Sequence, residues 1–355
     1  MKKIILCAVI LLVPAKLPAQ APQAGQTPQF KLAKTEFVEP APAVAEVHAS
    51  NIIEAADGSL VCAWFGGTME GNNDVTIWVS RYINGRWTPG VSVADGVQNK
   101  KLRHPAYNPV MYCTKEGRVW MFFKVGENPE KWWGESMYSD DNGITWAGRK
   151  KLPEGFLGPI KNQAVRLPNG SVICPSSIEY SPSSWVAHME ITDENFKKWK
   201  KSKPVPDPKN FGAIQPAIIT HPDGTLQALF RSNSRNLVYS WSKDSGKTWS
   251  PLQFSGFYMA NSGLDALTLA GNKGFLLVYN PNDKPADPKK WGPRTPLVAS
   301  YSDDGLNWKP AVLLEHRDAR HGYSYPCIIQ TRDGRIHITY TWNRARICHV
   351  ILEQY

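Results

Sequence analysis

Apolar and polar positions along this chain alternate in one recurring block: a short apolar run, a polar turn containing glycine, and a second apolar run. The block occurs six times, as IIEAADGSLVCAWF around Gly58, VMYCTKEGRVWMFF around Gly117, AVRLPNGSVICP around Gly170, AIITHPDGTLQALF around Gly224, ALTLAGNKGFLLVY around Gly274 and CIIQTRDGRIHITY around Gly334. Each reads as two strands joined by a tight hairpin, with glycine where the turn needs a positive φ. No long helical periodicity runs through the chain, so an all-β protein is predicted.

A second repeat runs in phase with the first. Ser139 to Trp146 (SDDNGITW), Ser242 to Trp249 (SKDSGKTW) and Ser302 to Trp308 (SDDGLNW) are near copies, and SRYINGRW (Ser80 to Trp87) and TDENFKKW (Thr192 to Trp199) are weaker ones. Their tryptophans are separated by 59, 53, 50 and 59 residues. In such a turn Asp and Ser bond nearby amides, Gly takes a left-handed conformation and Trp plugs the turn against its own sheet. A period of this length fits a four-stranded blade plus a loop, and six hairpins predict a six-bladed β-propeller. The last box is one residue short, so a distorted turn is expected there. The sixth hairpin runs to the C-terminus, so the ring is expected to close with a strand from Phe30 to Val38.

The first twenty residues differ from the rest: MKK, the apolar run IILCAVILLV, then small residues ending PAQ. This pattern predicts a signal peptide over 1–20, a lead-in over 21–28 and a single propeller domain over 29–355, in a secreted or periplasmic protein with no transmembrane span. Five cysteines remain past residue 20, and four lie in apolar strand patterns, which reads as buried free thiols. Net charge is +10 and falls to +7 without Lys2, Lys3 and Lys16. No phosphate loop, zinc-ligand spacing or basic aromatic strand face is present, so no cofactor, metal or nucleic acid is expected. Oligomeric state is left open.

The hairpins also locate candidate chemistry. In a propeller the starts of first strands and the ends of second strands gather at one end of the axis. The starts carry His48, Asn108, Asn162 with Gln163, Gln215, Asp265, and Tyr323 with Tyr325. The ends carry Glu70 with Asp74, Lys124 with Glu127, Glu179, Arg231 with Arg235, Asn280, and Asn343 with Arg344. Polar residues from six blades converging on one axis point to a binding site. Trp132, Trp133 and Trp291, in loops on the same side, could stack on sugar faces.

The boxes, together with FGGTMEG, RTPLVASYSDDG and GYSYPCIIQTRDG, resemble the sialidase-like BNR-repeat proteins of bacteria, and the resemblance covers the chain past its leader. It implies a glycan substrate held through its carboxylate by arginines, an Asp acid/base, and a Tyr nucleophile activated by Glu. Arg231 and Arg294 match the second and third arginines. Tyr323 matches the nucleophile by motif and Tyr325 by counting nine residues back from the turn glycine; Tyr325 is preferred. Three departures stand out: His48 replaces the first arginine, Gln215 replaces the activating Glu, and the acid/base falls to Glu70 or Asp74, with Glu70 preferred.

The resemblance therefore implies an exo-acting glycoside hydrolase removing a terminal, sialic- or ulosonic-acid-like sugar, with Gln215, Glu179, Asn108, Asn162, Arg235, Asn280 and Arg344 completing the binding surface. Two other readings remain open. One is a glycosidase or lyase on another sugar, using Glu70, Glu179 and Asp265 or His48. The other is a glycan-binding propeller without catalysis.

Overall fold

A computed structural model of the protein describes residues 28–287 and 291–355, so the expected leader and nearly all of the lead-in lie outside the described residues. Among these residues there is no helix. Six antiparallel sheets of four or five strands follow one another along the chain. The innermost strands are Glu46–Glu54, Ala106–Cys113, Val165–Arg166, Ala213–Thr220, Asp265–Thr268 and Tyr323–Gln330, which define blades 1 to 6. All six turn glycines have φ between +83° and +91°, as their hairpins require. Ring closure is as expected: Phe30–Phe37 pairs antiparallel with Arg346–Gln354, from Phe30 opposite Gln354 to Phe37 opposite Cys348.

Both faces of each blade are apolar because each blade is covered on both sides. The buried apolar side chains divide into six layers, one per blade junction. Phe65, Tyr107, Met121 and Phe123 fill the layer between blades 1 and 2, and Trp64, Ile52, Cys327 and Ile329 fill that between blades 6 and 1. Each such side chain contributes about 1.5–3 kcal/mol by leaving water, so the ring is held by its wedges. The five cysteines past the leader are free thiols, and four of them are buried in these layers or at their edges.

The turns ending in Trp146, Trp249 and Trp308 join third to fourth strands. Asp141 Oδ1 accepts the amides of Ile144 (3.1 Å) and Thr145 (2.8 Å), and Ser139 Oγ accepts that of Gly143 (2.8 Å). Asp244 repeats the pattern with Lys247 and Thr248. The short box keeps the bonds despite its missing residue: Asp304 Oδ1 accepts Leu306 and Asn307 amides at 2.9 and 2.8 Å. What it drops is one left-handed residue. Asn142 and Ser245 precede their glycines at φ +60° and +62°, whereas Gly305 alone turns the short box at +71°.

These carboxylates make a pH prediction. The Thr145 hydroxyl and amide hold Asp141 down to about 2, and bonds from Thr248 and Asn307 outweigh the upward push of burial on Asp244 and Asp304. A depressed carboxylate stabilises the fold above its unfolded value near 4, and that contribution is lost as pH falls toward the folded value. The melting temperature is therefore expected to drop steeply from about pH 4 to pH 2. The triple variant Asp141→Asn, Asp244→Asn, Asp304→Asn should melt lower at neutral pH and show a flatter acid limb; an unchanged limb in calorimetry would refute this origin.

Candidate functional site

The inner strands do not run straight into the axis. The pairing between first and second strands slips at His48/Asn51, opposite Asn108, between Ile214 and Ala217, and between Ser324 and Cys327. At each slip one non-glycine residue takes a left-handed backbone: Ala49 (φ +51°), Asn108 (+44°), Gln215 (+54°) and Tyr325 (+53°). All four stand nine residues before their turn glycine. Such a bulge re-aims a side chain out of the pleat, and for a bulky tyrosine it costs about 1–3 kcal/mol, a strain typical of functional positions.

The bulge separates the two candidate tyrosines. Tyr323 is buried against Tyr340 and Trp342 in the layer between blades 5 and 6. Tyr325 instead turns into the mouth of the ring, where its hydroxyl accepts hydrogen bonds from Arg231 Nη1 (2.8 Å) and Gln215 Nε2 (3.4 Å). Its ring lies beside His48, centroids 4.2 Å apart.

Arg231 is the best-held group in the mouth. It is 3% exposed, its Nε donates to Asn261 Oδ1 (2.5 Å) and its Nη1 also reaches Gln215 Oε1 (3.3 Å). Trp185 and Trp291 flank its guanidinium at 5.0 and 5.3 Å from the ring centroids. Stacking and side-on bonds fix the fork while leaving one edge toward the cleft. Arg294 lies alongside, with Nη1 3.4 Å from Ser324 Oγ and its guanidinium 5.8 Å from the Trp291 ring. Burial lowers it to about 10, so it stays cationic at neutral pH. Arg344 comes from the last hairpin turn, where it and Asn343 have φ +61° and +49°, and its Nη1 binds Glu70 Oε2 at 2.6 Å.

Burial and these cations together set the charge of the histidine. His48 is buried, with Nδ1 2.9 Å from Thr341 Oγ1. Burial, reinforced by Arg344, Arg294, Arg231 and Lys161, holds its pKa well below the ordinary value, so the imidazole is neutral at neutral pH. Glu179 belongs to the mouth as well. Its strand, Val172–Ser181, extends beyond the expected hairpin, and Glu179 pairs with Trp185 across the ladder just before the register slips between Glu179 and Ser181. Burial raises the Glu179 carboxyl, with Arg231 opposing.

Four sequence candidates lie elsewhere. Asp74 caps its own loop by accepting the Thr68 amide (2.9 Å) and hydroxyl. Asn280 Nδ2 donates to the carbonyls of Arg294, Pro296 and Tyr323 at 2.9–3.0 Å, which makes it a brace for the Arg294 loop. Arg235 braces the same loop through Asn282 Oδ1 (2.7 Å). Asp265 sits deeper on the axis, accepting the amides of Ala266 (2.9 Å) and Ile328 (3.0 Å), and burial pushes its carboxyl up. The aromatic loops divide too: Trp132 packs on Tyr107 and Trp133 bonds Glu135, whereas Trp291 remains 56% exposed at the mouth.

Beneath the mouth lies a group absent from the sequence candidates, Lys161. Buried on the axis, it donates from Nζ to Asn162 Oδ1 (2.7 Å), the Leu264 carbonyl (2.8 Å) and the Pro326 carbonyl. Asn162 Nδ2 in turn holds the Gln215 carbonyl at 3.0 Å. The pair thus pins the bulges that carry Gln215 and Tyr325. Gly263 makes room for it, since a Cβ there would lie 3.2 Å from both Lys161 Cε and Tyr325 Cγ. The signal was available: Lys161 stands nine residues before Gly170, the position held by Gln215 and Tyr325 in their blades. Asn261 and Trp185 left no such local mark.

The six-bladed propeller is the fold of the sialidase structures that the chain resembles. The chain belongs to the family of BNR repeat-like domains, which it matches over residues 58–338. It is 27% identical over 238 residues to the anhydrosialidase of Macrobdella decora, an alignment covering 59% of this chain and 30% of that one. The chain thus spans about a third of the length of the curated relatives it matches. Among solved structures it resembles a Dyadobacter fermentans protein of unknown function (TM-score 0.74, 16% identity, 92% of this chain and 99% of that one). It also resembles the Hadza microbial sialidase Hz136 (TM-score 0.72, 16% identity, 89% and 68%).

Proposed function

We propose that this protein is an exported, exo-acting glycoside hydrolase that removes a terminal anionic sugar, sialic- or ulosonic-acid-like, from glycans. The observation that carries the reading is Arg231, locked between two tryptophans and bonded to Tyr325, with Arg294 and Arg344 beside it. One carboxylate, Glu70, pairs with this trio directly, so a ligand carboxylate would find charge-assisted donors already oriented. Relatives named sialidase make sialic acid the first substrate to try. Export rests on the leader pattern of residues 1–20.

In this reading Glu70 protonates the leaving oxygen and Tyr325 faces the anomeric carbon. Gln215 cannot accept the phenol proton, and both its amide and Arg231 donate to the phenolic oxygen. These two donors hold the phenolic oxygen in place facing the anomeric carbon.

The same donors favour a second reading, in which Tyr325 acts as a base and the sugar leaves by elimination. In that case Tyr325, as its phenolate, takes a C–H proton, the C–O bond breaks with its electron pair going to the leaving oxygen, Glu70 protonates that oxygen, and no water is consumed. Turnover of aryl and glycan conjugates of sialic, ulosonic and uronic acids in ¹⁸O-labelled water separates the readings. Hydrolysis places ¹⁸O in the released sugar, and elimination gives an unsaturated, unlabelled acid. Glu70→Gln is expected to lower kcat by about 10²–10⁴. Binding without turnover of every conjugate would replace both readings with a glycan-binding propeller.

A further inference from the structure

A second groove adjoins the mouth between blades 5 and 6. One wall is Trp291 to Thr295, the other is Asp318 to Gly322, and Arg344 stands at the end. Arg294 and Arg344 belong to both the mouth and the groove, so the two are continuous. Three guanidiniums, those of Arg294, Arg320 and Arg344, line it against the single carboxylate of Asp318. Glu70, the partner of Arg344, is not among the lining residues. Among the described residues Arg320 is exposed and makes no ion pair or side-chain hydrogen bond.

The walls are fixed before any ligand arrives. The Tyr323 amide donates to the Arg294 carbonyl (2.9 Å), the Asn343 amide to the Gly322 carbonyl (2.9 Å), and the His321 amide to Asn343 Oδ1 (2.9 Å). Trp291, half exposed where mouth meets groove, offers a flat face to a sugar ring crossing from one to the other.

We propose that this groove is a subsite for a second anionic sugar, sulfated or carboxylated, next to the one being released, so that the enzyme acts on polyanionic glycans. The proposal rests on the mouth holding the terminal anionic sugar. Arg320 then determines specificity without touching the reacting bond: its guanidinium meets the second anion, and its long exposed side chain reaches across the groove for it. An uncompensated guanidinium beside a fixed aromatic face gains a charge-assisted bond only from a ligand bearing that second charge.

The test compares two substrates, the terminal anionic sugar on a neutral aryl group and the same sugar linked to a second anionic sugar. Arg320→Ala should lower kcat/KM on the second by about tenfold and leave the first unchanged. Arg317→Ala, altering an exposed arginine outside the groove, should change neither. Equal losses on both substrates, or equal losses from both variants, would overturn the subsite in favour of a general positive field. Calorimetric titration of a sulfated disaccharide into wild type and Arg320→Ala tests the groove without turnover, and equal affinities would also overturn it. Intact discrimination in that titration with no turnover of either substrate would refute the hydrolase reading alone.

Discussion

Arg231→Ala is expected to lower kcat/KM for a terminal anionic sugar by about 10²–10³. A desolvated, hydrogen-bonded charge pair costs about 2–5 kcal/mol when one partner is removed, and Arg231 is nearly enclosed between Trp185 and Trp291. Arg231→Lys should recover little. An ammonium cannot hold Asn261 through one nitrogen while presenting another to Tyr325 and a ligand, as the fork does. Steady-state kinetics with circular dichroism on each variant would check both. A folded Arg231→Ala protein with near wild-type kcat/KM would remove the guanidinium clamp from the mechanism.

Lys161→Met is expected to destabilise the fold by about 3–5 kcal/mol, because it leaves the buried Asp265 carboxylate without its cation. Lys161 holds Asp265 down against burial, and the loss also frees the Leu264 and Pro326 carbonyls from their donor. Adding Asp265→Asn should restore much of the stability, since the uncompensated charge is then gone. It should not restore turnover, because the bulge carrying Tyr325 would still lack the bond to Pro326. Denaturant midpoints and kcat of the single and double variants test the two halves separately. A Lys161→Met protein as stable as wild type would show that the attraction between Lys161 and Asp265 is incidental.

The bulges explain which site residues could be read along the chain and which could not. Counting nine residues back from a turn glycine finds Asn108, Gln215, Asp265 and Tyr325, because the hairpins repeat with the same register. The same count finds Lys161 and gives Ala49 where His48 stands one residue earlier. Motif matching alone favoured Tyr323, since residues two apart on a regular strand share a face. The slip between Ser324 and Cys327 breaks that rule and sends Tyr323 into the core. Asp74, Arg235 and Asn280 sit at the expected strand ends, yet their side chains turn to nearby loop atoms that no periodicity reveals.

The number of blades, the phase of the hairpins, the Trp-ended turns and the closing strand can all be read along the chain. Those features depend on local rules, the two-residue period of a strand and the chemistry of tight turns, and such rules repeat whenever the pattern repeats. Which polar groups meet follows instead from the closed ring. His48 and Arg344 come from opposite ends of the chain and are brought together by ring closure, Trp185 reaches Arg231 from a neighbouring blade, and Lys161 links three blades at the axis. Contacts of that kind depend on how six similar wedges close, and no single wedge encodes the closure.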